Sequence, residues 1–204
     1  MFEAYRTFSL GPLSLSMELL FLLAGVITAF FVVDYYLKWL EINEREKITD
    51  QMTWALFGAI VIFKFWPVIT APALLRDPMN ALYFTGGPLA MEMALLFAFG
   101  WMLVNAWLRK WPLIMGEALM GGAILGAMVF LFGIRQIGAV SPLPFGFQVD
   151  EITVHPVNLY TVFLLILVMT GRFIYFDRNA GIKPLVYYVV IVMAIWTLLS
   201  PFRV

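Results

Sequence analysis

Six runs of apolar residues, each close to the length that crosses a bilayer, leave this chain few ways to fold. They cover roughly Leu15–Trp39, Thr53–Leu74, Pro88–Leu108, Leu113–Phe132, Val157–Phe176 and Pro184–Leu199. A spanning helix needs about 20 mostly apolar residues, so the last run is short and tilts little or ends early. In hydrocarbon a segment must satisfy its own backbone polar groups, and a helix does so. The connections are mostly brief and carry Gly, Pro or charge. The longest irregular stretch, Gly133 to Val154, contains Gly138, Pro142, Pro144 and Gly146 and is too polar and too broken to span. The sequence therefore predicts an all-α, polytopic membrane helix bundle of about six transmembrane helices. It forms one integral membrane domain, residues 1–204, with residues 133–156 as an external loop. Composition agrees: 63% of the chain is hydrophobic and 13% charged, against about 25% charged in soluble domains.

The same composition excludes several chemistries. There is no cysteine, which removes disulfides, thiol chemistry and thiolate metal sites. A single histidine rules out a bis-histidine haem or a multi-histidine metal site. No metal and no cofactor is implied. Thirteen basic residues balance thirteen acidic ones, so nothing electrostatic points to nucleic acid. Met1 to Leu10 lacks the basic n-region of a signal peptide, and the first apolar run reads as a retained span.

Charge at bilayer depth costs roughly 2.5–3.5 kcal/mol on insertion scales, so charges retained there face protein or water. Five ionisable residues lie inside the runs: Glu18, Asp34, Lys64, Glu92 and Glu117. Glu18 and Glu92 fall just inside one end of their spans. Lys64 lies about 14 Å below that end of span two at 1.5 Å per residue, on a stem long enough to snorkel. A Glu18–Lys64–Glu92 set is expected, either as an ion network pinning three helices or as a ligand site. Asp34 and Glu117 fall toward the opposite end.

The only histidine, His155, lies in the polar island Asp150-Glu151-Ile152-Thr153-Val154-His155-Pro156-Val157-Asn158-Leu159-Tyr160. Pro156 suits the first turn of a helix, which puts His155 at a helix mouth with Asn158 and Tyr160 in the first turn. One reading makes these residues caps and interfacial anchors; the other makes them groups that act on a ligand.

The stretch His155-Pro156-Val157-Asn158-Leu159-Tyr160 resembles the His-Pro-Ser-Gln-Leu-Tyr-Glu motif of prolipoprotein diacylglyceryl transferases. Ser9-Leu10-Gly11-Pro12-Leu13-Ser14-Leu15 resembles that family's Ile-Gly-Pro opening. Asp77-Pro78 followed by Gly86-Gly87 resembles the approach to its Gly-Gly-x-x-x-His-Gly-Gly segment. The three motifs stand in the family's order, and the resemblance implies the family's fold without its last helix. Family members move a diacylglyceryl group from phosphatidylglycerol to a lipoprotein precursor at the outer face of the bacterial plasma membrane. The resemblance makes His155 the catalytic candidate. It makes Glu18, Lys64, Glu92, Arg135, Asn158 and Tyr160 a lipid-headgroup or structural set. The family's span-one tyrosine falls at Glu18, its span-two arginine at Lys64, and its histidine after the glycine pair at Met91. The asparagine of its Arg-x-Gly-Asn signature has no counterpart near Arg135 to Ala139, and its motif glutamate falls at Thr161.

Transfer to a thiol needs a base and cations for the departing glycerol phosphate. The bidentate arginines that suit phosphate are replaced here. The expected function is a diverged, non-catalytic membrane subunit that associates with lipid or lipoprotein. Its partners are membrane phospholipid and a membrane or lipoprotein partner protein. The alternatives are an active diacylglyceryl transferase in lipoprotein biosynthesis and a small-molecule or proton carrier; paired inverted repeats, which would favour a carrier, are not visible.

Lys and Arg counts set the expected orientation. Arg6, Arg76, Arg135 and Arg203 fall on one side. Lys38, Arg45, Lys47, Arg109, Lys110, Arg172, Arg178 and Lys183 fall on the other. The richer side is expected to be cytoplasmic, with both termini and the His155 island outside. Reporter fusions at Arg45 and Arg109 will therefore report a cytoplasmic site, and one at Gly146 an external site. An external signal at Arg45 would invert the assignment.

Overall fold

A computed structural model describes residues 1–3, 6–10, 13–73, 86–142, 146–149, 152–178 and 180–203. Gly11, Pro12, Arg76, Asp77, Pro78, Pro144, Asp150 and Glu151, which entered the sequence reading, lie outside the described residues. The chain divides into two compact units, Asn43–Pro112 and the remainder, Met1–Ile42 with Leu113–Val204. Among the described residues, six helices are long and apolar enough to cross a membrane. They are α1 (Met17–Trp39), α2 (Arg45–Thr70), α3 (Ala90–Leu108), α4 (Met115–Gly133), α5 (Val157–Tyr175) and α6 (Lys183–Leu199).

The boundaries follow local chemistry. Ser16 caps α1, its Oγ accepting from Leu19 N at 3.2 Å, which satisfies one of the free donors of the first turn. Helix α2 starts at Arg45, well before the apolar run at Thr53, because a polar first turn carries it beyond the apolar part. Pro67 sits in its last turn, and the helix stops three residues later. Helix α5 begins directly after Pro156, with His155 just outside it.

The smaller unit is the hairpin of α2 and α3. Its returning segment is tied down where Gly86 N donates to Phe63 O at 3.1 Å and Trp66 Nε1 donates to Pro88 O at 2.8 Å. Gly86 has φ +74, a value few other residues adopt cheaply.

The larger unit contains α1, α4, α5 and α6. Helices α1 and α4 pack most intimately, along a stripe of small residues. A Cβ added to Gly126 would lie 2.6 Å from Gly25 O and 2.9 Å from Ala29 Cβ, and one added to Gly122 would lie 2.8 Å from Ala29 O. Backbones approach this closely where glycine and alanine line both faces, the usual device for helix association in lipid. Ile124, Leu165, Val168, Met169, Tyr188 and Ile195 form the apolar core between α4, α5 and α6.

Short strands bind the rest of this unit together, and the sequence reading did not anticipate them. Strand β1 (Phe2–Glu3) runs parallel to β4 (Ile134–Arg135), β2 (Thr7–Leu10) pairs antiparallel with β3 (Leu13–Ser16), and β5 (Phe147–Val149) pairs antiparallel with β6 (Ile152–Val154). Two to four residues per strand are too few for alternation to be visible in a sequence.

Overpacking a close helix contact costs typically about 1–3 kcal/mol. Gly126→Ala is expected to lower the unfolding free energy in detergent by that amount, read as a lower thermal midpoint. Gly100→Ala, where an added Cβ meets nothing within 4 Å, should leave the midpoint unchanged or raise it. Equal effects of the two substitutions would refute the close-packing account.

Candidate functional site

Two polar centres stand at opposite ends of the larger unit. The first joins α4 and α5 to the loop between them. His155 is 8% exposed. Its ring meets Phe202 edge-on at 4.9 Å between centroids, and its Nδ1 lies 3.4 Å from Tyr160 Oη. Its backbone is tied twice, His155 N donating to Ala139 O at 2.9 Å and Val157 N to His155 O at 3.0 Å. Ala139 N in turn donates to Phe202 O at 2.9 Å. Gly138 makes this weave possible, because a Cβ there would lie 2.5 Å from His155 O and 2.8 Å from Phe202 O.

Asn158 is wholly buried in the first turn of α5. Its Nδ2 donates to Leu131 O at 2.9 Å and to Ile134 O at 2.5 Å. Leu131 lies in the last turn of α4, where carbonyls lack helical partners. The amide of one helix thus caps the end of another. On the adjoining strand, Arg135 Nη2 donates to Gln148 O at 2.6 Å, and the guanidinium lies 4.9 Å from the Phe147 ring centroid. The structure brings His155, Asn158, Tyr160 and Arg135 to this one end.

Beside it a cavity of about 350 Å³ opens between α4, α5 and α6. Leu131, Leu165, Ile195 and Trp196 give it apolar walls, and Thr161 and Arg203 give it polar ones. The Arg203 guanidinium carbon sits 3.6 Å from the Trp196 ring centroid. That stacking holds a cation in the wall of a largely apolar space.

Glu18 is exposed in the first turn of α1, in the larger unit. Lys64 is half-buried in α2, and Glu92 is exposed in the first turn of α3, both in the smaller unit.

The second centre is built from Glu117, Arg172, Tyr36 and Tyr188, one residue from each helix of the larger unit. Arg172 Nε donates to Glu117 Oε1 at 2.5 Å, and Tyr36 Oη donates to the same oxygen at 2.7 Å. Tyr188 Oη lies 3.4 Å from Tyr36 Oη, so its proton completes a chain directed onto the carboxylate. Arg172 Nη1 donates to Phe176 O at 2.8 Å and caps its own helix. Trp39 and Phe173 cover the guanidinium, with centroids 5.3 and 5.9 Å from its central carbon. Glu117, Arg172 and Tyr188 are 0% exposed.

The sequence reading singled out Glu117 as an intramembrane charge but counted Arg172 among the loop cations. Arg172 is inside α5, in its last turn. The signal was present in the heights of the two residues: Glu117 is in the first turn of α4 and Arg172 in the last turn of α5. Among the described residues no group of three or more His, Cys, Asp or Glu side chains is placed to hold a metal ion. No protein-family model matches the chain, and no curated protein sequence matches it.

Removing one partner from a buried ion pair costs about 3–5 kcal/mol, because a charge is stranded. Arg172→Met is expected to cost that much in thermal unfolding. The double variant Glu117→Met with Arg172→Met should recover more than half of the sum of the single losses. Strict additivity would show that the two side chains do not act as a pair.

Proposed function

We propose that this chain is a multi-pass protein of the bacterial plasma membrane, with both termini outside. In this reading it is a diverged relative of the prolipoprotein diacylglyceryl transferases that serves as a non-catalytic subunit, holding lipid for a membrane or lipoprotein partner. The observation that carries the reading is the use made of the His-Pro-Val-Asn-Leu-Tyr segment. Asn158 spends both amide hydrogens on carbonyls at the end of α4. His155 is packed against Phe202, with Tyr160 as its neighbour, and its backbone is fixed into the loop. A general base must reach the proton it removes, at about 2.6–3.2 Å. An imidazole enclosed by its own chain serves better as a structural anchor.

The adjacent cavity supports the lipid part of the proposal. Largely apolar walls with one cation among the lining residues suit an acyl chain that ends in an anionic or polar head. A volume of about 350 Å³ is near the lower end of ligand sites, which run from about 300 to 1,000 Å³. The space suits part of a lipid rather than a whole one. Arg203 is the cation among the residues that line it.

Complementation tests the catalytic question directly. In a strain depleted of its own diacylglyceryl transferase, expression of this chain is expected to give no growth rescue. Rescue that depends on His155 would replace this proposal with an active transferase. Native mass spectrometry in mild detergent tests the lipid question, with retained phospholipid expected and its occupancy expected to fall several-fold in Arg203→Gln. Occupancy unaffected by Arg203→Gln would remove the cavity from the proposal.

A further inference from the structure

The ion pair between α4 and α5 is half made. In a side-by-side arginine–carboxylate pair, the two donors on one edge of the guanidinium, Nε and Nη2, meet the two carboxylate oxygens. Here Nε donates to Glu117 Oε1, but Nη2 and Oε2 find no hydrogen-bond partner among the described residues. Every other polar atom of the centre is engaged. Nη1 is on Phe176 O, Oε1 accepts from both Nε and Tyr36 Oη, and the tyrosine hydroxyls are linked to each other. What remains is one charged donor and one charged acceptor, from residues that are both 0% exposed.

Buried charged groups are kept only when their hydrogen-bonding capacity is met. No backbone carbonyl or amide can meet both needs, because the missing group must accept from Nη2 and donate to Oε2. It must also be small, since Trp39 and Phe173 lie over the guanidinium and both charged residues are sealed from solvent. Water meets all three requirements, and a buried water typically makes two to four such bonds.

We propose that Glu117 and Arg172 hold one internal water molecule between Oε2 and Nη2. The water converts a single-contact ion pair into a three-membered bridge between α4 and α5. Its partners are set by the network: Tyr36 and Tyr188 fix the carboxylate from α1 and α6, and Phe176 O fixes the guanidinium from the end of α5. A bridge of this kind gives the α4–α5 contact some slack, because a water can follow a small shift of either helix without stranding a charge.

A structure of the full chain in lipid nanodiscs, at a resolution that shows ordered water, is the direct test. The expected result is a peak within about 2.7–3.2 Å of both Oε2 and Nη2. A direct Nη2–Oε2 contact in that range, with no peak, overturns the proposal. Isotope-edited infrared spectra of the protein in lipid films give a second test. The wild-type protein should show a water O–H band that shifts on exchange into H₂¹⁸O, and this band should move or vanish in Glu117→Gln. A wild-type spectrum with no such band, or a band unchanged in the variant, counts against the site. The wild-type measurements decide the matter even where the variant does not fold.

Discussion

The larger unit depends on how closely α1 and α4 can approach. With Gly25 and Gly126 face to face, each backbone carbonyl occupies the place where the other residue's side chain would stand. Eleven residues along α1 from Gly25 and nine back along α4 from Gly126, the same antiparallel contact delivers Tyr36 to Glu117. At 1.5 Å per residue these steps are about 14–17 Å, or roughly two and a half to three turns. A helix pair held further apart by larger side chains would leave the phenol short of the carboxylate. The small-residue stripe is therefore the condition for the polar centre as well as for packing.

The two ends of this unit are closed by different means. At the Glu117 end four helices contribute one side chain each, and charge supplies the attraction. At the His155 end the work is done mainly by backbone: strand pairs, the Ala139–Phe202 and His155–Ala139 hydrogen bonds, and an asparagine capping a neighbouring helix. The difference follows from the chain's path. Short strands such as Ile134–Arg135 and Phe147–Val149 bring carbonyls and amides into the segment after α4, and these must be paired wherever water is scarce. Where helices meet without such a segment, only side chains can satisfy one another.

This contrast explains what was legible in the sequence. Six spans were readable because apolar length is a one-dimensional property, and Val157 as the start of α5 was readable because Pro156 marks it. The extension of α2 to Arg45 was not, since its first turn is polar and hydropathy ignores it. The short strands were missed because pairing between Phe2 and Ile134 is a tertiary fact. The spacing Gly122-x-x-x-Gly126 was available as a small-residue contact signal and points to the α1–α4 seam. Arg172 was misplaced because a residue three from the end of a span reads as a loop cation until its partner is known. His155 and Asn158 were recognised as belonging together, but no sequence says that an amide is spent on a helix end.

The fate of Asn158 bears on what the segment can do. A side-chain amide that caps α4 is fixed by two carbonyls. If it turned toward a ligand, both carbonyls would lose a donor at a buried site, and each unsatisfied group costs about 1–3 kcal/mol. A ligand bound there would have to repay that loss before gaining affinity. Arg203 faces no such penalty. It is half-buried, its stacking on Trp196 leaves the edges of the guanidinium, where its donors lie, free of the ring, and it stands at the cavity rather than beneath it. Under the proposed lipid-holding role, recognition at this end is therefore led by the cavity and its cation, and not by His155 or Asn158, which are not among the residues that line it.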